Sequence, residues 1–161
     1  MGEMEKRSGI PGFTGAFRDT MADIKDGAKV VFTGSVAVCT PFIELLAYTV
    51  RDKGFEMLYV PRAVAEEARR IKKIENIGYS VVDEKGDPNN PSAIVVLGGL
   101  AMPKFGCPPE DVIRMIEELS GDERPRVIGV GFMNIFERQG WDKKINFDRL
   151  IDTTMEVMIK K

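Results

Sequence analysis

Cys39 and Cys107 are the two thiols of this sequence, and each falls between the end of an apolar run and the start of a helix-like pattern. That position lowers a thiol's pKa and favours the nucleophilic thiolate. The two face one crevice if the runs that precede them are neighbouring strands. The usual helper of such a thiolate is missing, because the 161 residues contain no histidine. Its absence deletes Ser-His-Asp and Cys-His pairs and every His-ligated zinc, iron or copper site within one chain. Two cysteines are also too few for a four-cysteine zinc site or an iron–sulfur cluster unless subunits share ligands, so no metal site is expected. The plainer reading of Cys39 and Cys107 is two small, inert, buried or half-buried side chains. Glu44 is the carboxylate that a histidine-free enzyme would have at hand.

Anion binding is the second chemistry the sequence offers. The segment T-G-S-V-A-V-C-T-P, Thr33 to Pro41, supplies the Thr33, Ser35 and Thr40 hydroxyls and Gly34 for close backbone approach. The helix it opens has no acid before Glu44, which leaves its N-terminal N–H groups free to attract a phosphate or carboxylate. Gly98 and Gly99, with Met102 beyond them, follow another apolar run, and Gly131 to Asn134 follow a third; Met133 is a further exposed candidate. The helix after Cys107 carries Glu110 and Asp111 in its first turn and satisfies its own dipole. The candidate ligand-binding set is therefore Thr33, Gly34, Ser35, Thr40, Gly98, Gly99, Met102, Gly131 and Asn134, with the alternative that the glycines are turn residues and the hydroxyls helix caps. No motif names a cofactor. G-x-G-x-x-G fails at Val36 and Cys39, no Walker lysine motif occurs, and Arg62, where a dinucleotide site would have an acid, reads as a solvated charge opening an exposed helix, with contact to a 2′-phosphate as the alternative.

These loops need a scaffold, and the hydrophobic pattern supplies one. After a helix over Thr14 to Ile24, continuous apolar runs predict strands at Lys29–Thr33, Phe55–Val60, Tyr79–Val82, Ala93–Leu97 and Arg126–Gly131. Helical spacing predicts helices from Thr40-Pro41 to Val50, from Pro61 through Ile74, and from Pro108 to Leu119. The alternation indicates an α/β, Rossmann-like or flavodoxin-like three-layer sandwich with a mostly parallel sheet of five to six strands. The ligand loops then sit at the carboxyl ends of the first, fourth and fifth strands. If the third and fourth strands are parallel, the loop Asp83–Ser92 makes a nearly taut crossover past one or two neighbours. The tail reads as a helical turn followed by an edge strand at Thr154–Ile159. Trp141 reads as a cap on the core and the nine methionines as core filler.

Hydrophobic residues at 43%, charged residues at 30% and a net charge of −2 give no field to gather nucleic acid or anionic lipid. No apolar run reaches the length of a membrane span or a signal peptide, so a cytoplasmic protein with reduced thiols is expected. Residues 1–12 read as a flexible N-terminal segment and 13–161 as a single α/β domain.

F-T-G-S-V-A-V-C-T-P-F-I-E-L-L-A-Y at Phe32–Tyr48, L-G-G-L-A-M-P at Leu97–Pro103, I-G-V-G-F-M-N-I-F at Ile128–Phe136, G-W-D at Gly140–Asp142 and F-D-R-L-I-D at Phe147–Asp152 together resemble an uncharacterised archaeal, chiefly methanogen, family. That resemblance implies a taxonomic setting and no catalytic residue. V-L-G-G-L followed by V-I-G-V-G-F-M is similar, more weakly, to the class I glutamine amidotransferase and intracellular-protease-like superfamily. There the sharp turn carries a nucleophilic cysteine; here it holds Gly131.

Three functions follow. The first is a binding domain for a small anionic or nucleotide-like ligand. The second is an enzyme using a thiolate or carboxylate, and the third an interaction subunit that forms a homo-oligomer through its C-terminal edge strand.

Overall fold

Residues Lys29–Gly34 form the central strand, β1, in which every residue from Val30 onward is buried. A strand hidden on both faces needs cover on both, and the computed structural model, which describes residues 3–161, supplies it as a three-layer α/β fold. The remaining strands are β2 (Glu56–Pro61), β3 (Arg69–Ile74), β4 (Gly78–Lys85), β5 (Ala93–Leu97), β6 (Arg126–Phe132) and β7 (Arg149–Thr153). They make one seven-stranded sheet in the order β4-β3-β2-β1-β5-β6-β7. The sheet is one to two strands wider than the pattern predicted. β2, β1, β5, β6 and β7 run parallel, while β3 is antiparallel to both its neighbours.

Helices α1 (Gly9–Met21) and α2 (Thr40–Thr49) cover one face, burying Phe17, Ile43 and Leu46 against Phe32 and Val95. Helix α3 (Pro109–Leu119) covers the other, burying Val112, Met115 and Leu119 with Val31 and Val96. Phe13, Phe17 and Met21 are buried in α1 at four-residue steps, the spacing that puts them on one face. This helix starts five residues before the predicted Thr14, so residues 9–12 of the expected flexible segment are its first turn. Pro11 lies in that first turn, where its missing N–H costs nothing. A short helix, α4 (Ile135–Arg138), follows β6.

Three predicted elements are corrected. The helix from Pro61 through Ile74 does not form: Pro61 ends β2, and Arg62 and Ala63 take left-handed φ of 48° and 59°, which a right-handed helix cannot contain. A single 3-10 turn at Ala65–Glu67 leads into β3. Charged residues of the predicted helix pair across strands instead: Arg70 with Glu56 at 3.2 Å and Glu84 at 3.4 Å, and Arg69 with Asp83 at 3.3 Å. Asn76 at φ 64° and Gly78 at φ 116° make the hairpin turn to β4.

The predicted third strand is thereby displaced to the far edge of the sheet as β4. Its crossover to β5 passes β3, β2 and β1 without a helix. The connecting backbone lies flat on the sheet, since a Cβ at Gly86 would collide with the Leu58 side chain. It returns to the foot of β1, where Ser92 donates its N–H to the Lys29 carbonyl at 2.9 Å.

In the tail, the edge strand is Arg149–Thr153 rather than Thr154–Ile159. β6 offers partners only from Ile128, opposite Arg149, to Phe132, opposite Thr153. Residues 154–161 have no regular structure and are exposed. Among the described residues no helix is long and apolar enough to cross a membrane.

Candidate functional site

β1 is followed by α2 on one face and β2 on one side, β5 by α3 on the opposite face and β6 on the other side. The winding reverses between β1 and β5, so the crevice favoured for ligands in open sheets opens between the loops that leave these two strands.

The first loop is built around Cys39. Its thiol is 2% exposed and lies 3.2 Å from Ser35 Oγ. A Cβ on Gly34 would come within 2.5 Å of Cys39 Cβ and 3.3 Å of Leu97 Cβ, and one on Gly99 would collide with Cys39 Sγ and lie 2.8 Å from Ser35 Oγ. Gly34 and Gly99 are glycines because the thiol and hydroxyl occupy the space of their side chains. Gly98 is a glycine for a similar reason, since a Cβ there would lie 2.9 Å from Gly131 Cα and 2.6 Å from Ile135 Cγ2, and one on Gly131 would lie 3.1 Å from Ile135 Cγ2. Thr33 is fully buried and accepts the Ala63 N–H at 3.0 Å, and Arg62 donates its N–H to the Gly34 carbonyl at 3.0 Å. Thr33, Gly34, Ser35, Gly98 and Gly131 thus form the floor of the crevice, closed to solvent.

Other members of the predicted set reach the surface. Thr40, Gly99 and Met102 are half-buried and Asn134 is exposed. Val36, Ala37 and Val38 form the exposed tip of the first loop, with Ala37 at φ 70°. Among the described residues, the N–H groups of Val36, Ala37 and Thr40 find no acceptor. On the opposite wall Met133 and Asn134 take φ of 54° and 58°. That turn is held by Met133 N–H to the Thr153 carbonyl at 2.9 Å and Asn134 N–H to Asp152 Oδ1 at 2.9 Å. Burial raises the Asp152 carboxyl above its ordinary value, against the opposing pull of that N–H.

The two thiols sit in different surroundings. Cys107 is half-buried and its pKa is raised, first by burial and then by Asp111, opposite to the lowering that its place before α3 predicts. Although β1 and β5 are neighbours, Cys39 belongs to the core layer under α1 and α2 and Cys107 packs against the layer under α3, so the two do not share a crevice wall. The Glu44 carboxylate is spent on the sheet, accepting the Val81 N–H at 2.8 Å. Trp141 is 3% exposed and packs on Phe136, 5.8 Å between ring centroids, as a core residue.

Tyr59, which sequence reasoning passed over, and Arg62, which it read as a solvated charge, also lie beside this loop. Tyr59, on β2, is buried and donates its hydroxyl to the Gly34 carbonyl at 3.4 Å. It faces Thr40 as well, and its pKa is raised, chiefly by burial. Arg62 is exposed and, among the described residues, forms no ion pair. The signal for Arg62 was present as a charge directly after a strand; Tyr59 looked like any apolar strand residue. On the α3 side of the same loop lies a depression of about 230 Å³, lined by Arg62, Val64, Glu66, Asp111, Arg114 and Glu118.

The whole arrangement has close relatives. An uncharacterised protein of Methanocaldococcus jannaschii is 38% identical over 156 residues, covering 97% of this chain and 92% of its own. One from Methanothermobacter thermautotrophicus is 33% identical over 156 residues, covering 97% and 96%. The crystal structure of a protein of unknown function from Methanothermobacter thermautotrophicus superposes with a TM-score of 0.88 at 31% identity, covering 100% of this chain and 98% of that one. The signature of the family described as uncharacterised proteins conserved in archaea, DUF2124, matches residues 8–156, and the chain belongs to that family.

Proposed function

We infer that the protein is a binding domain for a small anionic ligand held at the carboxyl ends of β1, β2, β5 and β6. One observation carries this reading. Of the seven non-glycine residues with positive φ among the described residues, five (Ala37, Arg62, Ala63, Met133 and Asn134) lie in the loops leaving β1, β2 and β6. Left-handed backbone costs a residue with a side chain roughly 1–3 kcal/mol unless its surroundings impose it, and such outliers gather at ligand sites. The acid-free start of α2, the unbonded N–H groups of its loop and the unpaired Arg62 favour an anion over a cation. Thr40, Gly99, Met102 and Asn134 with Tyr59 and Arg62 would contact it.

Nothing favours the enzymatic alternative: Cys39 is buried, Cys107 is held as a thiol and Glu44 is occupied. None of the relatives described above supports the expected likeness to the glutamine amidotransferase superfamily, and the turn after β6 carries no nucleophile.

The test is amide NMR of the full chain titrated with inorganic phosphate, pyrophosphate and nucleoside monophosphates, beside native mass spectrometry of protein purified from an archaeal host. Saturable shifts at Val36, Ala37 and Thr40, lost in Arg62→Ala, are expected. Unmoved amides together with a ligand-free native mass would overturn the reading.

A further inference from the structure

The last strand and the tail beyond it do not finish their own hydrogen bonding. β7 is the terminal strand of the sheet, paired to β6 on one side only. The chain then continues as T-M-E-V-M-I-K-K, of which Met155, Val157, Met158 and Ile159 are 52%, 83%, 82% and 83% exposed. Four of the seven residues Thr153–Ile159 (Thr153, Thr154, Val157 and Ile159) are β-formers and none is glycine or proline, yet residues 154–161 form no strand in the single chain. Folding back on β7 would need a tight turn at Thr154-Met155, and neither residue is of the type such turns use.

We propose that the tail pairs with β7 of a second copy of this chain, antiparallel and reciprocally, to make a two-fold dimer with a continuous sheet. The register follows from the edge itself. The Thr153 carbonyl accepts Met133 N–H, so Thr153 turns towards β6, and the alternate residues Leu150, Asp152 and Thr154 turn their backbone groups outward. Outward residues must meet outward residues. With Thr154 on the axis, Leu150 lies opposite Met158 of the partner subunit and Ile151 opposite Val157 of the partner subunit. The apolar pairs match, so the sequence is complementary to itself at the centre of this stretch, which is why the occupant is a second copy. One like-charge pairing remains, Asp152 opposite the partner's Glu156, and the two-fold axis repeats it, so each dimer carries it twice.

Analytical ultracentrifugation of the full chain tests it, with variants confined to the exposed tail so that the monomer fold is untouched. The wild type is expected at twice the 17.9 kDa chain mass at high micromolar concentration. Met158→Pro, which removes an outward N–H, gives a monomer with the wild-type circular dichroism spectrum. Glu156→Lys, which sets a cation against Asp152, tightens association by about tenfold. Thr154→Cys forms an interchain disulfide on mild oxidation, because the two copies of this position face each other at the separation a disulfide spans; Val157→Cys does not. A monomeric wild type overturns the proposal. So does a dimer that Met158→Pro leaves intact, which would place the interface elsewhere, or a tail that pairs only with a strand of another protein.

Discussion

Cys39 fills the space that side chains at Gly34 and Gly99 would need, so one thiol locks together the loops leaving β1 and β5. Gly99→Ala puts a methyl against Sγ and against Ser35 Oγ. It should lower stability by about 1–3 kcal/mol, the range for overpacking, in urea denaturation. Adding Cys39→Ala removes the obstructing sulfur and should recover part of that loss; a double variant no better than Gly99→Ala would place the strain elsewhere.

Glu44 ties α2 to the hairpin through the Val81 N–H. Glu44→Ala leaves that donor without its acceptor and should cost about 1–3 kcal/mol, with faster hydrogen exchange at Val81. Glu44→Gln keeps an acceptor oxygen and should lose much less. Equal losses in the two variants would show that packing, not the hydrogen bond, is at stake.

Asp23 and Arg126 link the end of α1 to β6, with Nη2 to Oδ2 at 2.9 Å and Nη1 also donating to the Thr20 carbonyl at 3.0 Å. The guanidinium holds the Asp23 carboxyl below its ordinary value. A depressed carboxylate contributes stability above its unfolded pKa, and that contribution disappears as pH falls through the folded one. Urea midpoints measured from neutral pH downward should therefore fall less steeply for Asp23→Asn than for the wild type. Parallel acid limbs would remove Asp23 from the account.

Cys107 should alkylate no faster than an ordinary free thiol at neutral pH, since its pKa is raised by burial and by Asp111. Cys39 should react only on unfolding. Timed mass spectrometry with iodoacetamide checks both, and a rapidly modified Cys107 would reopen the enzymatic reading.

The parallel half of the sheet was legible because β1, β5 and β6 are buried on both faces, and a strand with no wet face must be an unbroken apolar run. β3 was not, because Arg69-Arg70-Ile71-Lys72-Lys73-Ile74 places Ile71 and Ile74 three apart, a spacing that serves a helix and also the two faces of an edge hairpin. Left-handed Arg62 and Ala63 decide the matter, and neither residue type announces that conformation. At the candidate site, glycines next to strand ends marked the right loops. Which of them face a ligand was hidden, because a glycine that admits a ligand and a glycine that admits Cys39 look alike in one dimension. Arg62 was visible but assigned to a helix that does not exist.

The strand order also bears on how the chain is made. β1 to β4 are consecutive in sequence and adjacent in space, so this half can assemble on a nascent chain before Ala93 has been synthesised. Until β5 arrives, the free edge of β1 bears a backbone of Val30–Gly34 that the finished protein never shows to water. Such an edge is a template for pairing with the wrong chain. The most protected strand of the native sheet is, for the duration of translation, its most vulnerable.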